Sequence, residues 1–76
     1  MSKEKEYFPQ ITLEAQIREA KRELAMRERL YPKWVASETS RMTQTRADEQ
    51  IIAMRNIVRT LENLKAQRDP QLGLGL

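Results

Sequence analysis

Apolar residues recur at steps of three, four and seven through the first half of this chain, a spacing that predicts an amphipathic helix. Thr12 precedes the run as an N-cap candidate and a polar run, residues 37–41, follows it, so we predict a helix over about residues 12–36. The apolar face of this helix consists of Leu13, Ile17, Ala20, Leu24 and Tyr31.

The second half of the chain predicts another helix, over about residues 43–68. Thr43 is its N-cap candidate, and the capping-box spacing of Thr45 and Asp48 offers an alternative start. The apolar face is wider than about 100°, which is more than contact with one neighbouring helix needs. Its members are Ala47, Ile51, Met54, Ile57, Val58, Leu61 and Leu64.

The segment Tyr31-Pro32-Lys33-Trp34-Val35 interrupts the first helical pattern. Pro32 lacks an N–H and crowds the carbonyl of Glu28, so the helix must either kink or stop and restart. We expect a kinked continuation to about Ala36.

Two long helices joined by a short polar loop predict an all-α fold, an antiparallel helical hairpin over residues 12–68. Residues 1–11 are expected to form a flexible arm that carries Tyr7 and Phe8, and residues 69–76, with Pro70, a mobile tail. A lone hairpin of this length is marginally stable. Its surplus apolar surface packs either within the monomer or against another chain; we favour self-association into a helical bundle.

The composition limits the kinds of chemical site that this chain can form. The chain has 76 residues, no cysteine, no histidine and a net charge of +3. We therefore expect no disulfide, metal site or cofactor, and scattered carboxylates without a cleft argue against an enzyme. No apolar run approaches the length of a membrane span, and no secretion signal is visible, so a soluble cytoplasmic protein is expected.

Two surfaces of the first helix are candidate binding sites. The apolar surface widens towards Pro32, and Trp34 lies there. Its side chain is expected either in the core or at an interface. The residues predicted to bind a protein are Met26, Leu30, Tyr31 and Trp34. On the side of this helix opposite its apolar face, a basic stripe predicts either nucleic-acid contact or a solvated, salt-bridged face. The basic stripe consists of Arg18, Arg22, Arg29 and Lys33.

Acidic residues near these basic side chains can pair with them and neutralise part of their positive charge. Spacings of three and four residues predict the pairs Glu14–Arg18, Glu19–Arg22 and Glu23–Arg27, and Glu62 lies within reach of Arg55 and Arg59. Arg27 lies at the edge of the apolar face, where an arginine either packs its methylenes with its head in water or fixes helix pairing and register.

A longer set of residues resembles a known group. The segments Arg22-Glu23, Ala25-Met26-Arg27, residues 29–36 (RLYPKWVA), Arg41-Met42-Thr43-Gln44 and Ala47-Asp48 are similar to small helical proteins encoded by tailed bacteriophages and prophages. Members share an Arg-x-Tyr-Pro-x-Trp-Val segment and a Met-Thr-Gln or Met-Lys-Gln helix start, and the similarity spans about residues 11–64. They usually carry a glycine where this chain has Ser37-Glu38-Thr39-Ser40, which leaves the loop geometry open.

The resemblance implies an accessory phage protein in the cytoplasm of a bacterial host, where such proteins often bind and inhibit or redirect a host machine. We therefore expect an interaction protein that presents a helical surface to a bacterial or phage protein. Two alternatives stay open: a small nucleic-acid-binding or recombination-accessory protein that uses the basic stripe, and a structural subunit whose activity is oligomerisation.

Overall fold

The computed structural model describes residues 11–68, which form two helices, α1 over Leu13–Ala36 and α2 over Gln44–Arg68. The helices pack along each other in opposite directions, so that Lys21 contacts Glu62 and Tyr31 contacts Gln50. Within these residues there is no strand, and the prediction of an all-α helical hairpin is confirmed. Neither helix has the length and apolar character needed to cross a lipid bilayer.

Threonine side chains start both helices. The Ala15 N–H donates to Thr12 Oγ1 over 3.1 Å, and the Arg46 N–H donates to Thr43 Oγ1 over 3.1 Å. Each bond satisfies an N–H of the first turn that has no partner within its helix. Thr43 is therefore the cap of α2, and Thr45 lies inside the helix.

Pro32 lies inside α1, which continues without a break to Ala36. The alternative in which the helix stops and restarts at Pro32 is wrong. Because proline has no N–H, the carbonyl of Glu28 loses its usual helical donor at this point. The expected kink stays a prediction.

Serine and threonine hydroxyls organise the loop between the helices. Ser37 ends α1 in an extended conformation, φ −80° and ψ 135°, and its N–H donates to the Trp34 carbonyl over 3.2 Å. The Thr39 N–H donates to Ser37 Oγ over 3.3 Å, and the Met42 N–H to Ser40 Oγ over 3.2 Å. Any residue adopts the backbone angles of Ser37, so α1 ends without the glycine that the resembling proteins carry in this loop.

The core is a single seam between the two helices. Ala20, Met54 and Val58 form its central cluster, and Leu24 and Leu61 pack against this cluster from partly buried positions. Met54 is buried as predicted, whereas Leu24 is only partly covered. The buried residues are Leu13, Ile17, Ala20, Tyr31, Ala47, Met54 and Val58.

Packing against α1 covers only part of the apolar face predicted for α2. Ile57 and Leu64 are 47% and 45% exposed, although the sequence pattern placed them on the same face as Met54. The hairpin supplies one neighbouring helix, which covers only a stripe of about 100°, and these two residues lie beside that stripe. The predictions for the arm with Tyr7 and Phe8 and for the tail from residue 69 lie outside the described residues.

Candidate protein-binding surface

A hydrogen bond between the helices fixes the geometry near the loop. The guanidinium of Arg27 donates from Nη1 to the backbone carbonyl of Gln50 over 2.8 Å, and from Nε to Glu23 over 2.9 Å. Arg27 therefore bridges α1 to α2 and also holds a carboxylate of its own helix. Of the two roles considered for Arg27, pairing across the seam is the one that the structure shows.

Tyr31 lies in the seam next to this bridge and is 7% exposed. Its hydroxyl donates to Gln50 Oε1 over 3.4 Å, a long hydrogen bond, and the Arg27 Cζ atom lies 6.0 Å from the centre of its ring, at the outer limit of a cation–π contact. Arg27 and Tyr31 thus both contact Gln50. Tyr31 was predicted among the residues that bind a partner, but the hairpin itself covers its ring, so it offers no exposed surface for direct contact.

Trp34 rests on Tyr31 and faces outward. The ring centres are 5.3 Å apart with 29° between the planes, which is a stacked arrangement. Trp34 is nevertheless 41% exposed, so the hairpin covers only part of the side chain. The structure thus gives Trp34 a supported position and a free surface.

The two edges of the seam differ in character. On one edge, ion pairs join the helices, with Lys21 Nζ 2.8 Å from Glu62 Oε2 and Arg55 Nη2 2.9 Å from Glu28 Oε2. The prediction that Glu62 compensates Arg55 is wrong, because the antiparallel packing brings a closer partner to each residue from the other helix. We call this the charged edge.

The opposite edge carries the bridge from Arg27 to Gln50 with its partner Glu23, and apolar side chains that the seam does not fully cover. At 100° per residue, Met26 and Leu30 fall on the side of α1 away from Lys21 and Glu28. Both are partly buried. Because the helices are antiparallel, the side of α2 that carries Ile57 and Leu64 turns the same way. The apolar side chains of this edge form two groups, which are a loop-end patch of Met26, Leu30 and Trp34 on α1, and Ile57 and Leu64 on α2, farther from the loop.

The basic stripe lies on the solvent side of α1, and all four of its residues are exposed. Arg22 pairs with Glu19, as the spacing predicted, and Glu23 pairs with Arg27. Within residues 11–68, Arg18, Arg29 and Lys33 make no ion pair, and the predicted Glu14–Arg18 pair is not formed. The stripe is therefore only partly compensated by the residues that the structure describes.

Gln50 is a residue of this surface that the sequence pattern did not single out. It is a polar residue at the edge of the apolar face of α2, where its backbone and side chain meet Arg27 and Tyr31. An arginine at the edge of one apolar face and a glutamine at the edge of the other were both visible in the sequence. The contact between the two residues could not be read from the sequence, because it depends on the register of the two helices.

Fold and surface together define a small helical hairpin that displays a supported tryptophan. Comparison of the chain with protein-family models, with curated proteins and with solved structures gives no match.

Proposed function

We propose that this chain is a small interaction protein that binds another protein through the loop-end patch of Met26, Leu30 and Trp34. The observation that carries the proposal is the exposed tryptophan, 41% accessible and stacked at 5.3 Å on the buried ring of Tyr31. Tryptophans in such positions are among the residues that most often supply the binding energy of protein interfaces.

The support beneath Trp34 favours binding. Ordering a free side chain on association costs about 0.5–1.5 kcal/mol. Stacking on Tyr31 restricts Trp34 before any partner arrives, and Arg27 and Gln50 in turn hold Tyr31. A partner therefore meets a side chain that is already largely ordered.

Positive charge around the loop-end patch favours a partner with an acidic surface. Arg29 and Lys33, each one position before a patch residue, are exposed on α1, and Arg46 is exposed on the same side of α2. A complementary partner offers an apolar groove with a rim of carboxylates. The resemblance to phage-encoded proteins supports a protein of the bacterial host or of the phage as this partner, and inhibition or redirection of that protein as the outcome.

Capture of the partner from bacterial lysate by the tagged full chain tests the proposal. Trp34→Ala and Leu30→Asp are expected to weaken capture by about 30-fold or more while the helical circular dichroism signal is kept. Ile52→Asp is the matched control, because Ile52 is 52% exposed on a different side of α2. Equal capture by the wild type and Trp34→Ala would contradict the proposal.

Nucleic-acid binding is the second candidate function, and the position of the basic stripe favours it. Arg18, Arg29 and Lys33 are exposed on one side of α1 and make no ion pair within residues 11–68. On this alternative, Arg22→Glu combined with Arg29→Glu abolishes binding to DNA or RNA, and wild-type affinity falls steeply with salt. Salt-sensitive binding that is lost in this double variant and kept in Trp34→Ala would replace the first proposal.

A further inference from the structure

The helix α2 carries a second set of residues at coiled-coil spacing, beside the set that packs on α1. Residues at alternating steps of three and four form a continuous seam on one side of a helix. One set with this spacing, which we call the outer strip, consists of Gln50, Ala53, Ile57, Thr60, Leu64 and Gln67. Within the part of the chain that the structure describes, no helix covers this strip.

The outer strip is uncharged and, except for the partly buried Gln50, exposed. Ile57 and Leu64, its two large apolar residues, are 47% and 45% exposed. The charged residues between positions 50 and 67 lie about 110° or more from its centre, at 100° per residue. These charged residues are Arg55, Arg59, Glu62 and Lys65. Another helix can therefore approach the strip without burying a charge.

We propose that the outer strip binds a second copy of this chain, with the two α2 helices antiparallel and a two-fold axis passing between Val58 and Arg59. Symmetric dimers use the same patch on both copies, so the patch must be complementary to itself when reversed. This register pairs Ile57 with Thr60 and Leu64 with Ala53, and each pairing is made twice.

In this register, the side chains that face each other on the two α2 helices are complementary in size. Every apolar layer sets a large side chain against a small one, which lets two helices approach closely and interdigitate. Asn56, Ile57, Thr60 and Leu61 line a shallow depression on α2 that is centred on the proposed axis. Ile57 of the second copy enters this depression beside Thr60. Gln50 and Gln67 face each other at both ends, where the Gln50 amide Nε2 donates to Gln67 while its Oε1 keeps the bond from Tyr31.

Charge complementarity selects the antiparallel direction. The register sets Glu49 of one copy at the level of Arg68 of the other, at both ends of the contact. A parallel pair would instead place Glu49 opposite Glu49 and Arg68 opposite Arg68, and would pair Ile57 with Ile57. Opposite charges within the roughly 10 Å screening length attract, and like charges repel.

The size of the contact sets the expected strength. Seventeen residue steps from Gln50 to Gln67 span about 26 Å, at 1.5 Å per residue. One helix-to-helix strip of this length supplies only part of the roughly 800 Å² per partner of a standard interface. The dimer is therefore weak, and it forms at micromolar concentration or above. The contact does not include Trp34, which lies on α1.

Sedimentation equilibrium of the full chain tests the interface with a matched pair of variants. Ile57→Asp is expected to raise the dimer dissociation constant by more than tenfold, and Ile52→Asp to change it by less than twofold. Both residues are exposed isoleucines of α2, at 47% and 52%, so a general effect of the new charge would appear in both. A wild-type monomer across the micromolar and millimolar range, or equal loss in both variants, would overturn the proposal.

Crosslinking tests the register, and the chain suits it because it has no cysteine of its own. Mixed Ala53→Cys and Leu64→Cys chains, treated with a short thiol-to-thiol crosslinker, are expected to give the mixed dimer in excess of either homodimer. Two Ala53→Cys positions are about 17 Å apart along the axis in this register, out of reach of such a reagent. A dominant Ala53→Cys homodimer would show a parallel pair or a different antiparallel register, and either would overturn the arrangement.

Discussion

Arg27 donates a hydrogen bond to the backbone carbonyl of Gln50 over 2.8 Å, and this contact joins two helices that are held mainly by apolar packing and surface ion pairs. A hydrogen bond has a narrow range of length and direction, whereas apolar side chains slide past one another at low cost. The bond therefore specifies the register of α1 against α2. Tyr31 reaches the side chain of the same residue, so Gln50 is held at two points.

Arg27→Met keeps most of the apolar stem and removes the bridge. We expect the free energy of unfolding, measured by urea titration at fixed protein concentration, to fall by about 1.5–3 kcal/mol, the range for hydrogen bonds from charged groups. Arg29→Met, on the exposed side of the same helix, should change it by less than about 0.5 kcal/mol. Equal stability of the two variants would remove Arg27 from the contacts that hold the hairpin.

Core substitutions should rank by their burial. Met54 is 7% exposed and belongs to the central cluster, whereas Leu24 packs against that cluster from a partly buried position. We expect Met54→Ala to cost about 3 kcal/mol and Leu24→Ala about 2 kcal/mol through the cavities that they leave. Thermal melts followed by circular dichroism give the order directly. A larger cost for Leu24 would contradict this order and show that Leu24 is packed more tightly than Met54.

The start of α2 offers a paired test at two neighbouring threonines. Thr43→Ala removes the acceptor of the Arg46 N–H and should cost about 1 kcal/mol. Thr45→Ala, inside the helix, should cost nothing or stabilise slightly, because alanine is the better helix former. Chemical denaturation of both variants distinguishes the cap from its neighbour, and the reverse order would mean that the helix begins later in solution.

Pro32 is expected to lower the stability of the hairpin. Pro32→Ala restores an N–H for the Glu28 carbonyl and relieves the ring contact with the preceding turn, at the expense of a more flexible unfolded chain. The balance should raise the free energy of unfolding by about 1–2 kcal/mol, and Lys33→Ala, the adjacent exposed control, should leave it nearly unchanged. If Pro32→Ala is no more stable than the wild type, the helix already accommodates proline without loss.

The sequence by itself determined the two helices, their approximate ends and their antiparallel direction. Thr12 and Thr43 as caps, the polar stretch after Ala36 and the three-to-four spacing of apolar residues are all local signals, which act between residues at most four positions apart. A short polar connection between two such helices leaves the antiparallel hairpin as the compact arrangement. The exposed basic stripe on α1 followed from the same periodicity.

Only the tertiary structure decided which apolar residues are inside and which charges pair. Met54 is buried and Ile57 is half exposed, although both belong to one broad apolar face, because a single neighbouring helix covers only part of it. Tyr31 is covered and Trp34 is not, and Arg55 pairs with Glu28 of the other helix. These outcomes depend on the register between residues more than twenty positions apart, which local spacing does not encode and which packing and the contact between Arg27 and Gln50 determine.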